Sequence, residues 1–214
     1  MANLPIHCSN ILYNQAFNTD YDFTMSFTYT MNTSGTDPVN NYGFGVFFVN
    51  GSTNTLQGGG VGPGLGVVSS TGTVPTGTFA IVGFDITGQF CTINSISPFA
   101  TGIPAGQANN DLIGLRVGPS FQYINSVYVD GITPKPNIFG PIGPTENYWS
   151  SPTIRVGVRR GFREIEVASL NDKQYVTLAT FQTNLSSTPS TAKVGIGYSG
   201  DTLFQIQNLT LNYT

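Results

Sequence analysis

The chain has 214 residues, a formal net charge of −3, and 39% hydrophobic against only 9% charged residues. That length suits one β-sandwich domain burying roughly 70% of its unfolded surface, so we expect a single domain over residues 1–214. No apolar run approaches the ~18 residues of a membrane-spanning helix, and all eight Lys and Arg lie from Arg116 onward, which leaves the first half without the basic face that nucleic acid requires.

The N-terminal stretch MANLPIHCSNILYNQAF lacks the basic start, apolar middle and small-residue cleavage site of a secretory leader. The expectation is that a leader has been removed, or that the chain leaves the cytoplasm by another route such as assembly into a virus particle. His7 is the sole histidine, and Cys8 and Cys91 are the sole cysteines. This inventory makes a zinc site improbable, because four ligands would have to come largely from carboxylates. It permits one disulfide without requiring it. His7 and Cys8 cannot act as a dyad from one strand, since adjacent strand residues face opposite ways.

The first clear element is FTMSFTYTM, residues 23–31. Phe23, Met25, Phe27, Tyr29 and Met31 fall on one face and Thr24, Ser26, Thr28 and Thr30 on the other, which predicts a half-buried strand. GFGVFFV at 43–49 is apolar throughout, so it predicts a strand covered on both sides and stopped by the turn chemistry of Asn50-Gly51-Ser52. The glycine-rich GGGVGPGLG at 58–66 lacks the spacing and the following Lys-Ser/Thr of a phosphate cradle. It reads as a tight loop permitting close backbone approach.

GTFAIVGFDITGQF at 77–90 leads into one Asp, Asp85. Its expected role is to end a strand and open the turn Asp85-Ile86-Thr87-Gly88, with a residual metal role as the minority reading. The Gly- and Pro-rich piece from Asp130 to Pro152 carries the aromatic pair Tyr148-Trp149 and predicts a long surface loop within the domain. TIRVGVR, FREIEVASL and YVTLATF, separated by Arg160-Gly161 and Asn171-Asp172, predict a three-stranded meander, and AKVGIGYSG and TLFQIQNLTLNY two closing strands. In the last, Asn208, Thr210, Asn212 and Thr214 alternate with Leu209, Leu211 and Tyr213, which makes one face wet. Helical periodicity is absent, so the fold class expected is all-β, an antiparallel two-sheet sandwich or jelly roll.

The order of these segments resembles the legume-type (L-type) lectins, the concanavalin A-like lectin and glucanase sandwich family, over most of the chain. The resemblance rests on Tyr42-Gly43-Phe44-Gly45-Val46-Phe47-Phe48, GGGVGPGLG, AIVGFD at 80–85, NDLIGLRVG at 110–118, the meander, and the final VGIGYSG with TLFQIQNLTL. It implies that the N-terminal and C-terminal strands are neighbours in one sheet. It also implies a metal-binding Glu where this chain has Gly83, a metal-binding His at Leu112 or a neighbour, and a sugar-binding Asp where Tyr42 stands. With those ligands replaced, we expect no tightly held calcium or manganese; a weak calcium site from Asp85 and Asp111 is the remaining option, since calcium needs six to eight oxygens.

Sandwiches of this family that hydrolyse polysaccharides use two carboxylates about 5 to 9 Å apart. Glu164 and Glu166 are the one such pair, roughly 7 Å apart on one strand face. The bland reading, a solvated face partnered by Arg159, Arg160 and Arg163, is preferred, because Ser169 and Leu170 stand where a third carboxylate belongs. No Gly-x-Ser-x-Gly elbow occurs. The sequons at Asn32, Asn50, Asn184, Asn208 and Asn212 are suggestive only. The function expected is therefore a non-enzymatic lectin-like surface or virion module, in which Asn41, Tyr42, Gly59, Gly60 and Trp149 meet a glycan by ring stacking and backbone hydrogen bonds. Alternatives are a purely structural capsid or tail protein and a polysaccharide hydrolase. Partners would be glycans or other virion or surface proteins, with homo-oligomers possible and an extracellular or virion-surface location.

Overall fold

The computed structural model describes residues 7–32, 43–56, 59, 64–69, 72–86, 88, 90–91, 112–118, 121–129, 132, 138, 149–150, 152–200 and 204–213. Its elements among these are thirteen strands: β1 His7–Leu12, β2 Phe17–Asn18, β3 Phe23–Asn32, β4 Gly43–Asn50, β5 Thr78–Asp85, β6 Leu112–Val117, β7 Gln122–Tyr128, β8 Trp149–Ser150, β9 Thr153–Arg159, β10 Glu164–Asn171, β11 Gln174–Gln182, β12 Thr191–Gly200 and β13 Phe204–Tyr213. Every pairing between them is antiparallel. Among the described residues no helix is long and apolar enough to cross a membrane.

The first sheet has the order β1-β12-β4-β5-β6-β7 with β2 beside β12, and the second β11-β10-β9-β3-β13 with β8 beside β3. The meander β9-β10-β11 forms as its turn residues predict. The N-terminal strand, however, pairs with β12 and not with the last strand, which lies in the other sheet beside β3. The expectation of neighbouring terminal strands is thus corrected: β1 lies in the first sheet and β13 in the second.

The main core lies between the sheets. β3 buries Phe23, Met25, Phe27 and Tyr29 on its inner face, as its alternation predicts, against Phe44, Val46 and Phe48 of β4 and Ala80, Val82 and Phe84 of β5. Aromatic pairs fix how the two sheets are superposed. Tyr29 and Phe44 lie 4.7 Å apart at one end, and Phe44 stacks on Phe84 at 4.3 Å. Phe23 and Phe48 meet edge-on at 6.4 Å toward the other end. The Asn32 end of β3 therefore overlies the Gly43 end of β4, and the Phe23 end overlies the Asn50 end.

A second core covers the outer face of the first sheet, which is why β4 is apolar at every position. Phe47 and Val49 of β4 and Ile81 of β5 pack under Leu65, Val67, Val68, Phe90, Cys91 and Phe121 from the loops. Those loops sit close because glycines line the sheet beneath them. Gly197, Gly45, Gly83 and Gly114 are successive cross-strand partners on β12, β4, β5 and β6. A Cβ at Gly83 would lie 2.3 Å from the Phe90 ring, at Gly114 2.4 Å from the Cys91 sulfur, and at Gly197 2.7 Å from the Gly66 backbone. The row is a trough into which two loops are laid, at distances no real side chain tolerates.

Candidate functional site

The rung two residues beyond the glycine trough runs Cys8, Ser199, Gly43, Asp85, Leu112 and Tyr128. It marks the end of the sandwich where β8 pairs with β3, Trp149 opposite Asn32. Gly43 has φ +117, and a Cβ there would lie 2.0 Å from the Phe84 carbonyl oxygen, so only glycine lets β4 start beside Asp85. Gly59 reaches the same end: its carbonyl accepts the Cys8 thiol at 3.0 Å.

Of the residues expected to meet a glycan, the structure thus brings Gly59 and the backbone of Trp149 to the Asp85 end. Asn41, Tyr42 and Gly60 lie outside the described residues, as does Asp111. The residues that follow Tyr42 and Asp111 in sequence, Gly43 and Leu112, are both on the Asp85 rung.

Asp85 ends β5 and is fully buried. One carboxylate oxygen accepts the Gly88 N–H at 2.9 Å and the other the Cys91 N–H at 3.0 Å. The side chain closes the loop that follows its own strand, which is the turn role the sequence suggests. Arg116, at an outward position of β6 and only 4% exposed, binds the same loop. Its guanidinium donates to the carbonyls of Phe90 at 2.9 Å and Phe121 at 3.1 Å, and lies 5.2 Å from the Phe90 ring centre. Asp85 and Arg116 both hold the loop after β5, Arg116 tying it also to Phe121 before β7, and both bear on Cys91. Burial first, then the Asp85 carboxylate, raises the Cys91 thiol well above its ordinary range, while Arg116 acts in the opposite direction. Cys8 and Cys91 are both free thiols.

On this rung Asp85 is the single carboxylate among the described residues, and Asp111, the other expected calcium ligand, lies outside them. Gly83, where the family resemblance implies a carboxylate ligand, faces the Phe90 ring and the Leu65 side chain, which lie 2.3 and 2.9 Å from where its Cβ would be. The space is apolar and filled. Asp85 directs both oxygens at backbone N–H groups, and the nearby positive charge is the Arg116 guanidinium. Among the described residues no three His, Cys, Asp or Glu side chains cluster as a metal would need.

The Glu164 and Glu166 pair sits on the outer face of the second sheet, with Ile165 and Val167 buried beneath. Glu166 pairs with Arg155 at 3.0 Å, and Glu164 accepts a hydrogen bond from Gln182 at 2.8 Å. The arginine partner is thus Arg155 of β9, and Arg155 also stacks on Tyr175 at 4.3 Å.

Sequence reasoning missed Arg116, Phe90 and the glycine trough. A signal for the trough exists: GFGVFFV, FAIVGFD, LIGLRV and KVGIGY each carry a glycine amid apolar strand residues. Only the pairing register reveals that the four glycines are neighbours.

The structure is a two-sheet sandwich with a loop-covered outer face, the architecture of the legume lectins. Comparison with solved structures agrees. The peanut lectin with a bound 9mer peptide superposes with a TM-score of 0.62 at 18% identity, covering 99% of this chain and 82% of that one. The lectin of Bauhinia forficata in complex with GalNAc gives 0.60 at 16% identity, covering 97% and 80%. The exoplasmic/lumenal domain of VIP36 in its Ca2+/Man-bound form gives 0.57 at 10% identity, covering 97% and 73%. The chain therefore has the fold of the legume lectins. No family model matches it, and no curated protein does.

Proposed function

We propose that the protein is a non-enzymatic, metal-independent carbohydrate-recognition module displayed on a cell surface or virion. The observation that carries this reading is the Asp85 end of the sandwich. There the strand starts and ends of β4, β5, β6 and β8 and the loop at Gly59 come together, and the loop after β5 is held by a carboxylate and a guanidinium where the resemblance implies metal ions. Such a loop is organised by charge-assisted hydrogen bonds and needs no cation to be ordered. The Bauhinia forficata lectin in complex with GalNAc and the VIP36 domain in its Ca2+/Man-bound form share the fold.

Glycan-array binding in EDTA tests the proposal. A hit that survives chelation and is lost in Tyr42→Ala or Trp149→Ala supports it; hits that require calcium refute metal independence. A silent array, with the Tyr42 surface protected by a neighbouring subunit in an assembled particle, favours the purely structural alternative. Incubation with β-glucans, galactans and alginates should release no reducing sugar. Release abolished by Glu164→Gln or Glu166→Gln would overturn the non-enzymatic reading.

A further inference from the structure

The opposite end of the sandwich carries a groove of about 480 Å³ lined by Asp20, Arg160, Arg163, Ser186, Ser187 and Thr188, with Leu185 at its side. It lies beyond the Phe23 end of β3, whereas Asp85 lies toward the Asn32 end. The ten residues of β3 separate the two regions by ~30 Å. We propose that this groove is a second ligand site, for a carboxylate-bearing saccharide such as a uronic acid. It stands whether or not the Asp85 end binds sugar.

The first argument is charge. The buried and half-buried cations among the described residues are committed: Arg116 to two backbone carbonyls, Arg155 to Glu166, Arg159 to Asp22 and the Phe23 carbonyl, and Lys193 to Asn14, Thr53 and Asn54, whereas Arg160 and Arg163 are exposed at the groove. The guanidinium groups of Arg160 and Arg163 have no hydrogen-bond or ion-pair partner among the described residues, and neither has the Asp20 carboxylate. Two planar forks at one groove match a carboxylate bidentately.

The second argument is the backbone that presents them. Arg160, Gly161 and Phe162 have consecutive left-handed φ values of 53°, 64° and 65°, a conformation that a bulky residue such as Phe rarely adopts. It persists because Phe162 is fully buried, meeting the rings of Phe48 at 5.0 Å and Phe79 at 4.9 Å edge-on. With Phe162 driven inward, Arg163 next to it and Arg160 two residues before it face solvent. Strain retained at a rigid, solvent-facing turn is a mark of a presented site. The walls are tied as well: Thr183 N–H donates to the Arg163 carbonyl at 2.8 Å, Thr19 N–H to Ser190 at 3.1 Å, and Arg160 N–H to Asp22 at 2.9 Å.

The third argument selects the ligand class. The groove is far larger than a simple anion needs and falls in the range of small-ligand sites. Its acceptor carboxylate, Asp20, opposes a multiply charged phosphate chain but suits sugar hydroxyls, and three Ser/Thr hydroxyls supply further donors and acceptors. One carboxylate plus several hydroxyls on a ring with an apolar face is the complementary ligand, the last meeting Leu185.

NMR titration of the full chain with D-glucuronate, glucose and sodium acetate tests this. Saturable shifts of the 160–163 and 185–188 amides with glucuronate, at least tenfold weaker for glucose and for acetate, are expected. Arg160→Asn, which tolerates the left-handed backbone, combined with Arg163→Gln should weaken glucuronate binding at least tenfold while the melting curve stays near that of the unaltered protein. Should that pair fail to fold, Asp20→Asn and Thr188→Val, each alone, should still lower glucuronate affinity severalfold. No saturable binding of glucuronate, equal binding of glucose or acetate, or unchanged affinity in the folded variants would each overturn the proposal.

Discussion

Replacing Asp85 by Ala removes the acceptor for two backbone N–H groups, of Gly88 and Cys91, in a site with no solvent exposure. Hydrogen bonds to a charged group are worth about 1.5–3 kcal/mol each, and the orphaned N–H groups have no water to turn to, so the expected loss is about 3–5 kcal/mol. In Asp85→Asn one oxygen remains, but the amide NH2 then faces an N–H donor, and the loss should be about 2–4 kcal/mol. For a chain of this length each kcal/mol moves the midpoint by about 2–4 °C, so Asp85→Ala should melt at least ~6 °C below the parent. Urea and thermal unfolding of parent and variants, each with EDTA and with added calcium, measure it. If Asp85 acts through the protein, the parent's midpoint is the same in EDTA and calcium, because only a ligand bound to the folded state raises it. A drop in the parent alone on adding EDTA, leaving the variants unchanged, refutes the argument and makes Asp85 a metal ligand. So does a loss below about 1 kcal/mol for Asp85→Ala, which is the contribution of a single ordinary hydrogen bond.

Gly66→Ala should be costly for a different reason. Gly66 has φ +72 and a Cβ there would lie 2.3 Å from both the N and O of Tyr198, backbone atoms that cannot rotate aside, so the loss should exceed about 2 kcal/mol by denaturant unfolding, with a marginal effect indicating that the loop lies higher over the sheet. The free thiol Cys91 should resist a water-soluble thiol reagent in the native state while Cys8, half-buried, reacts. Because the folded thiol titrates above its ordinary range, the folded state binds more protons once pH exceeds ~8.5, the unfolded value. Stability should therefore fall as pH rises from there toward the folded pKa, with Cys91→Ala flattening that fall; a parent with the same slope as Cys91→Ala in this window would contradict it.

Much of the architecture is readable along the chain because strand periodicity is local. Phe23, Met25, Phe27 and Tyr29 alternate with Thr and Ser, and the same residues line the inner face of β3. The unbroken apolar run of β4 signals two covered faces, and both are covered. In β13, read from the sequence as one uninterrupted strand, the inward residues change from Phe204 and Ile206 to Leu209 and Leu211 at a bulge with Asn208 at φ 53. Asp85 reads as a turn residue from its neighbours alone, and its bonds to Gly88 and Cys91 are local.

What no local pattern contains is which distant segment covers which face. The outer core, the glycine trough and the role of Arg116 depend on the register of β12, β4, β5 and β6, whose glycines are as much as 152 residues apart between Gly45 and Gly197, a single rung in space. The partner of β1 is likewise decided by sheet assembly, which places β12 beside it in one sheet and β13 in the other. The groove at Arg160 and Arg163 exists only because Phe162 is drawn into a core built from β2, β4 and β5 residues. Side-chain alternation is dictated by each residue's own backbone, whereas burial, close approach and charge pairing are properties of residues that the chain itself keeps far apart.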